Sequence, residues 1–242
     1  MCRMMALLAK DGIKASWLTT FMSLAIHGKI RCDMTEPGHK DGWGLVSYFQ
    51  EDFPKYLARE PHSILQDEKD FKSAAKVLEV SRSKIVLTHL RKTSVGCLSI
   101  SNTHPFLYKE WAFAHNGTIY DHEKIFLKKL KPAGSTDSER FFLYLMEHLE
   151  NSHPRNQDEI LIELRKATEE IKRDFQVSSL TFLLTNGKMI FAFRDCDSQF
   201  RDYYTLYSTE IGENKIFCSE PLMEIASSWD LLENKSFIWG GQ

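Results

Sequence analysis

The chain alternates between short apolar runs and longer stretches in which apolar residues recur every three or four positions. Residues 3–9, RMMALLA, are an apolar run closed by Lys10, Asp11 and Gly12, which predicts a buried strand. Residues 16–28, SWLTTFMSLAIHG, have helical spacing, with Ser16 as N-cap and Gly28 as stop. GWGLVSYF (42–49) and KYLARE (55–60) predict a strand pair, and DEKDFKSAAKVLEV (67–80), with its acidic start, a helix. KIVLTHLR (84–91) is a β-branched apolar strand. WAFAHNGTI (111–119) is another, broken by the turn-prone pair Asn116-Gly117.

Two longer helices follow. One spans 137–150 with apolar positions Phe142, Leu145, Met146 and Leu149. The other spans 156–175 with Ile160, Leu164, Ala167, Ile171 and Phe175 on one stripe. The last third returns to strands at 179–186, 188–195, 203–209, 215–220 and 236–241, and Asn186-Gly187 marks a hairpin between the first two. The order strands, helices, strands, with few central α/β alternations, predicts an α+β fold of mainly antiparallel sheets with helices packed outside. No linker, repeat or low-complexity segment interrupts it, so residues 1–242 read as a single domain.

Composition narrows the function classes. The formal net charge is −2 and no basic stripe stands out, which argues against nucleic acid as a partner. Five cysteines (Cys2, Cys32, Cys97, Cys196, Cys218) are scattered, odd in number and without a C-x-x-C pair. That argues against a disulfide scaffold or a thiolate zinc site and fits a reducing, cytoplasmic setting. The opening apolar stretch is too short for a signal-peptide core or a membrane span, so no membrane association is expected.

Polar and glycine-rich stretches carry the candidate chemistry: Cys2-Arg3, GHKDGWG (38–44), THLRKTSVG (88–96), NTHPF (102–106) with AHNGT (114–118), and GSTDSE (134–139). Loss of Met1 would make Cys2 the N-terminus. A free α-amine titrates at about 7.7–8.0 and a cysteine thiol at about 8.5, so the two can exchange a proton near neutral pH. This is a self-contained nucleophile and base. The alternative is an incidental cysteine beside the chain start. Asn116-Gly117 is either a plain turn or an oxyanion hole, formed by the Asn116 side-chain amide and the Gly117 N–H. His115 beside it reads as a structural, hydrogen-bonding residue. Arg91, at the end of a strand, is either a surface charge or a bidentate carboxylate clamp. Asp137 either joins the cap of a helix, with Ser135 or Thr136 as N-cap, or binds a substrate ammonium. His89, His104 and His115 lack metal-ligand spacing, and no metal or organic cofactor is expected.

Assembled in order, Cys2-Arg3, GHKDGWGL, THLRKTSVG, NTHPF, AHNGTI and GSTDSERFF resemble a class II glutamine amidotransferase of the N-terminal nucleophile hydrolase superfamily. The resemblance runs from Cys2 to Ser219–Leu222. It implies a four-layer α-β-β-α sandwich. It also implies Cys2 as nucleophile with its α-amine as base, Asn116 and Gly117 as oxyanion hole, and Arg91 on the glutamine α-carboxylate. Asp137 would sit on the α-ammonium, with His104 and Thr93 in the substrate pocket. Lys92 departs from the large metabolic members, which carry an aromatic residue there and fuse the glutaminase to a synthase. The motifs and strands here occupy all 242 residues. That resembles the compact stand-alone branch, which includes the γ-glutamyl amide hydrolase of ergothioneine synthesis and the amidotransferase-like subunit of glutathione breakdown. The implied substrate is glutamine or a γ-glutamyl amide, cleaved through a γ-glutamyl thioester, with a separate ammonia-accepting synthase as a candidate partner. The other reading is a non-catalytic glutamine-binding regulatory subunit with the same fold.

Overall fold

Alternation within the first apolar run builds the layers. The structure, a computed structural model, describes residues 2–10, 12–33, 35–36, 38–49 and 53–241. In β1 (Arg3–Leu8) every residue is buried: Met5 and Leu7 face one apolar layer, and Met4, Ala6 and Leu8 the opposite one. A strand covered on both faces reads as a continuous apolar run, which is why residues 3–9 lack a polar alternation. The chain continues through α1 (Ala15–Met22), α2 (Leu24–His27), β2 (Trp43–Tyr48), β3 (Lys55–Glu60), α3 (Glu68–Val80) and β4 (Ile85–Leu90). Then come β5 (Phe106–Tyr108), β6 (Trp111–Asn116), α4 (Asp137–Ser152), α5 (Gln157–Asp174), β7 (Thr181–Thr185) and β8 (Met189–Arg194). The last strands are β9 (Tyr207–Ile211), β10 (Asn214–Cys218), β11 (Asp230–Leu231) and β12 (Ser236–Gly241).

Among the described residues, one sheet has the order β11-β9-β10-β1-β4-β2-β3 and the other β12-β8-β7-β6-β5. The neighbouring strands pair antiparallel throughout. Met4, Ala6, Leu8, Val46 and Leu87 of the first sheet meet Ala112, Ala114, Leu183, Ile190 and Ala192 of the second. Trp17, Leu18, Phe21, Phe71 and Leu78 of α1 and α3 cover the outer face of the first sheet. Phe141, Phe142, Leu145, Leu164 and Ile171 of α4 and α5 cover that of the second. The result is the expected α-β-β-α sandwich. β1 and β6 lie in different sheets yet come together across the interior, so Cys2, just before β1, meets Asn116 at the end of β6.

Some local expectations change. Ser16 does not cap α1: the helix starts at Ala15 after Lys14, and the Ala15 N–H is satisfied by the Glu79 carboxylate of α3 at 3.2 Å. The expected single helix over 16–28 is interrupted at Ser23, whose hydroxyl donates to the Thr20 carbonyl at 2.7 Å and competes with the helical ladder. The aromatic run 203–209 enters its strand only at Tyr207, and Tyr203 and Tyr204 are buried in the preceding turn. β5 and β11 are too short to leave a periodic signal.

Candidate active site

Cys2 immediately precedes β1 and is 9% exposed. β1 pairs with β4 in a register that sets Arg3 opposite Leu90, so the chain leaving β4 passes directly beside Cys2. The thiol lies 3.7 Å from the Lys92 carbonyl, and the backbone nitrogen donates to Asn116 Oδ1 at 3.1 Å. That second contact orients the Asn116 amide: a backbone N–H is a donor, so Oδ1 must face it and Nδ2 must point the other way. Nδ2 is buried and has no hydrogen-bond partner among the described residues. A buried, unsatisfied amide donor typically costs about 1–3 kcal/mol. It is therefore the kind of group whose partner arrives with a ligand.

The turn after Asn116 is built by close backbone approach. A Cβ on Gly117 would stand 1.9 Å from the Ser179 carbonyl oxygen and 2.6 Å from the His115 ring, so only glycine fits. His115 contacts the Ser138 hydroxyl through Nδ1 at 2.9 Å and the Ser179 carbonyl through Nε2 at 3.1 Å. Its pKa is lowered by burial, opposed by the Asp137 charge and the Ser179 main chain. A neutral imidazole with both nitrogens occupied is a structural brace, as expected.

Arg91 is buried at the end of β4, and its guanidinium is folded into its own loop. Nη1 donates to the Cys97 carbonyl at 3.1 Å, and Nη2 to those of Val95 and Gly96 at 2.9 and 3.4 Å. These contacts fix the plane of the cation in a loop that starts beside the Cys2 thiol. The GHKDGWG stretch supplies the other wall. Asp41 accepts the Thr93 N–H at 2.7 Å, while main-chain bonds tie Asp41 N to Arg91 O and Arg91 N to Gly42 O. The Thr93 hydroxyl is buried and has no partner among the described residues. Asn102 then links the loop to the start of α4: its Nδ2 donates to Cys97 O and Ser135 Oγ, and its Oδ1 accepts Ser135 N.

At the start of α4, Thr136 is the N-cap, accepting Glu139 N at 3.2 Å, and the Glu139 carboxylate reaches back to Ala133 N and Gly134 N. Asp137 occupies the first turn, and its Oδ2 accepts Ile119 N at 2.9 Å, two residues beyond Gly117. The capping expectation therefore holds for Thr136, while the carboxylate of Asp137 is bound to the Asn-Gly turn.

His104 lies face to face with His89, ring centroids 4.1 Å apart, both buried between the sheets. No ring nitrogen of the pair makes a well-formed hydrogen bond among the described residues. Burial lowers the pKa of His89 from 6.5 to about 3, opposed by the His115 main chain and reinforced by the Arg91 charge. Burial holds His104 well below the ordinary range too, helped by His89, His115, Arg91 and Arg59. Between those limits the unfolded chain binds protons that the folded chain refuses. Stability from His89 is thus full above pH 6.5 and is lost as the pH falls towards about 3. Each such histidine adds a slope of about 1.4 kcal/mol per pH unit inside its window. His89→Gln should flatten the fall in unfolding free energy between pH 6.5 and 4.5, measured by urea denaturation, by about that amount. An unchanged slope would mean that His89 is not held neutral.

Reading the motifs one by one misses what holds Cys2 from behind. The Arg3 side chain is fully buried and forms an ion pair with Glu220, while Nη1 donates to the Cys2 carbonyl at 2.8 Å and Nη2 to the Lys29 carbonyl. The guanidinium carbon lies 4.7 Å from the centre of the Tyr203 ring. The only trace of this in the sequence is SEPL at 219–222, an acidic residue just after an apolar strand.

Comparison with known proteins identifies the family. The family model for class-II glutamine amidotransferases matches residues 1–208. An uncharacterized protein of Methanocaldococcus jannaschii is 32% identical over 161 residues, which cover 65% of this chain and 43% of that protein. The chain thus spans less than half the length of that curated relative. Among solved structures, a glutamine aminotransferase class-II domain protein from Silicibacter pomeroyi superposes with a TM-score of 0.65 at 19% identity, covering all of this chain and 95% of that one. Glutamine phosphoribosylpyrophosphate amidotransferase from B. subtilis does so with a TM-score of 0.60 at 12% identity, covering 96% of this chain and 44% of that one. At such identities these structures show that the chain shares their fold and nothing finer. Among the described residues no helix is long and apolar enough to cross a membrane. With the family model covering most of a chain folded in this way, the protein belongs to the class II glutamine amidotransferases.

Proposed function

We propose that residues 1–242 form one domain that acts as a cysteine amidohydrolase on the side-chain amide of glutamine or of a γ-glutamyl amide. The observation that carries this reading is the divided use of Asn116: Oδ1 holds the Cys2 nitrogen, and Nδ2 is left as a buried, unpartnered donor. The mechanism needs Met1 removed; Met1 lies outside the described residues. The Cys2 α-amine takes the thiol proton as Sγ attacks the amide carbon. The oxyanion is held by Asn116 Nδ2 and the Gly117 N–H. The ammonium then gives its proton to the leaving nitrogen, the C–N bond breaks, and a γ-glutamyl thioester remains. Water attacks the thioester while the amine accepts its proton, and glutamate leaves as the thiol is restored. In this reading Arg91 binds the substrate α-carboxylate and Asp137 its α-ammonium, with Thr93 and His104 lining the pocket. Holding both α-groups selects γ-glutamyl compounds over simple amides. Where glutamine is the donor, a separate synthase subunit is the partner that uses the ammonia. A free reactive thiol suits a reducing cytoplasm.

The test is a panel of γ-glutamyl amides, glutamine included, with glutamate release as readout. Turnover of at least one supports the reading. Binding of glutamine with no turnover of any member supports the regulatory-subunit alternative instead. Arg91→Ala should raise KM by about tenfold to a hundredfold, the size of a charge-assisted contact. An unchanged KM would reject the clamp.

A further inference from the structure

We infer that Arg3, with Glu220 as its counter-charge, is a positioning residue: it fixes the Cys2 main chain so that the α-amine meets Asn116, and its charge favours the unprotonated amine. This rests on the amidohydrolase reading above. The geometry isolates one rotation. Cys2 precedes β1, so its amine and its carbonyl are related by a single backbone torsion. Arg3 Nη1 holds the carbonyl at 2.8 Å and Asn116 Oδ1 holds the nitrogen at 3.1 Å, which pins both ends of that torsion.

The strand itself does not need Arg3 for its register. β1 pairs with β4 from Arg3↔Leu90 onwards, and on its other edge Met4 N donates to Ser219 Oγ and Ser219 N to Met4 O. The Nη1 contact therefore acts on Cys2 in particular. The remaining nitrogens orient the fork: Nε pairs with Glu220, Nη2 reaches the Lys29 carbonyl, and Glu220 also accepts the Lys29 N–H at 2.7 Å. A planar guanidinium can satisfy three such directions at once and an ammonium cannot.

The charge has a second effect. A cation near an amine disfavours the ammonium form, and a nearby carboxylate favours it. Arg3 bonds the Cys2 carbonyl directly, whereas Glu220 lies behind the guanidinium. The other ionisable groups around Cys2 do not bond its main chain. Arg91 is bound to loop carbonyls, Lys92 reaches out to the Glu36 main chain, and Asp137 accepts Ile119 N. Burial raises the Tyr203 phenol and lowers His89, His104 and His115, so these stay neutral.

The test is the pH profile of kcat/KM for glutamate release, with the full-length wild type, Arg3→Met, Arg3→Lys and Glu220→Gln. Arg3→Met should move the acid limb to higher pH and Glu220→Gln should move it to lower pH, each by about one unit. Arg3→Lys keeps the charge and loses the fork, so its limb should stay near wild type while kcat falls about tenfold or more. Thermal unfolding monitors folding in each, and Glu220→Gln with Arg3→Lys suffice if Arg3→Met does not fold. A folded Glu220→Gln whose acid limb superimposes on that of wild type, or Arg3→Lys with wild-type kcat, would overturn the inference. If wild type shows no turnover, the underlying reading fails, and it falls separately from the role of Arg3.

Discussion

Cys2→Ala is expected to reduce glutamate release by about 10⁴-fold or more, the loss seen when a covalent nucleophile is removed from a site that otherwise still binds. The fold should survive. Among the described residues the thiol's one hydrogen-bond contact is the Lys92 carbonyl at 3.7 Å, and the strand behind it is held by ladders on both edges. A change in unfolding free energy below about 1 kcal/mol is expected, because no large buried side chain is removed. Glutamine binding should persist, since Arg91, Asp137 and Thr93 are untouched, and calorimetric titration of the inactive variant measures it. Retained turnover would remove Cys2 from the chemistry.

Asn116→Ala should be nearly as damaging, for a different reason. It deletes the buried Nδ2 donor and the acceptor of the Cys2 nitrogen together. Loss of one oxyanion donor lowers kcat by about 10²–10³. Losing the orientation of the amine adds to this, because small misplacements of reacting groups cost up to about 10²-fold. KM should change little, since the developing oxyanion is held only in the transition state. Asn116→Asp separates the two effects. It keeps an acceptor for the Cys2 nitrogen but supplies no N–H, and its charge favours the ammonium over the free amine. It should be no more active than Asn116→Ala at pH 7 and should recover partly at higher pH. A kcat within about threefold of wild type for either variant would be at odds with an oxyanion role.

Much of this is legible in the sequence where burial is complete or chemistry is local. Residues 3–9 and 84–91 read as strands because both faces of β1 and β4 are covered by apolar layers. The Asn116-Gly117 pair reads as a special turn because glycine and asparagine are the residues such turns demand, and the Gly117 site has no room for a Cβ. What the sequence hides is pairing over long separations. Arg3 and Glu220 are 217 positions apart, and Cys2 and Asn116 are 114 apart, and no periodicity links either pair. Asp41 looks like a loop residue until β2 and β4 bring it to the Thr93 N–H. Ser16 reads as a cap because the rule is local, while the first N–H of α1 is satisfied from α3 instead. His104 reads as a pocket residue and His89 only as a histidine without metal-ligand spacing in a separate motif, and only the sandwich stacks their rings.

The central claim is that a free N-terminal cysteine is the nucleophile. Incubation with a glutamine-derived electrophile, followed by peptide mapping, tests it most directly. The account predicts one adduct, on Cys2 Sγ, in a peptide that begins at Cys2, with activity lost in step with labelling. An adduct on Cys32 or Cys97, or full activity from a chain that still carries Met1, would contradict it.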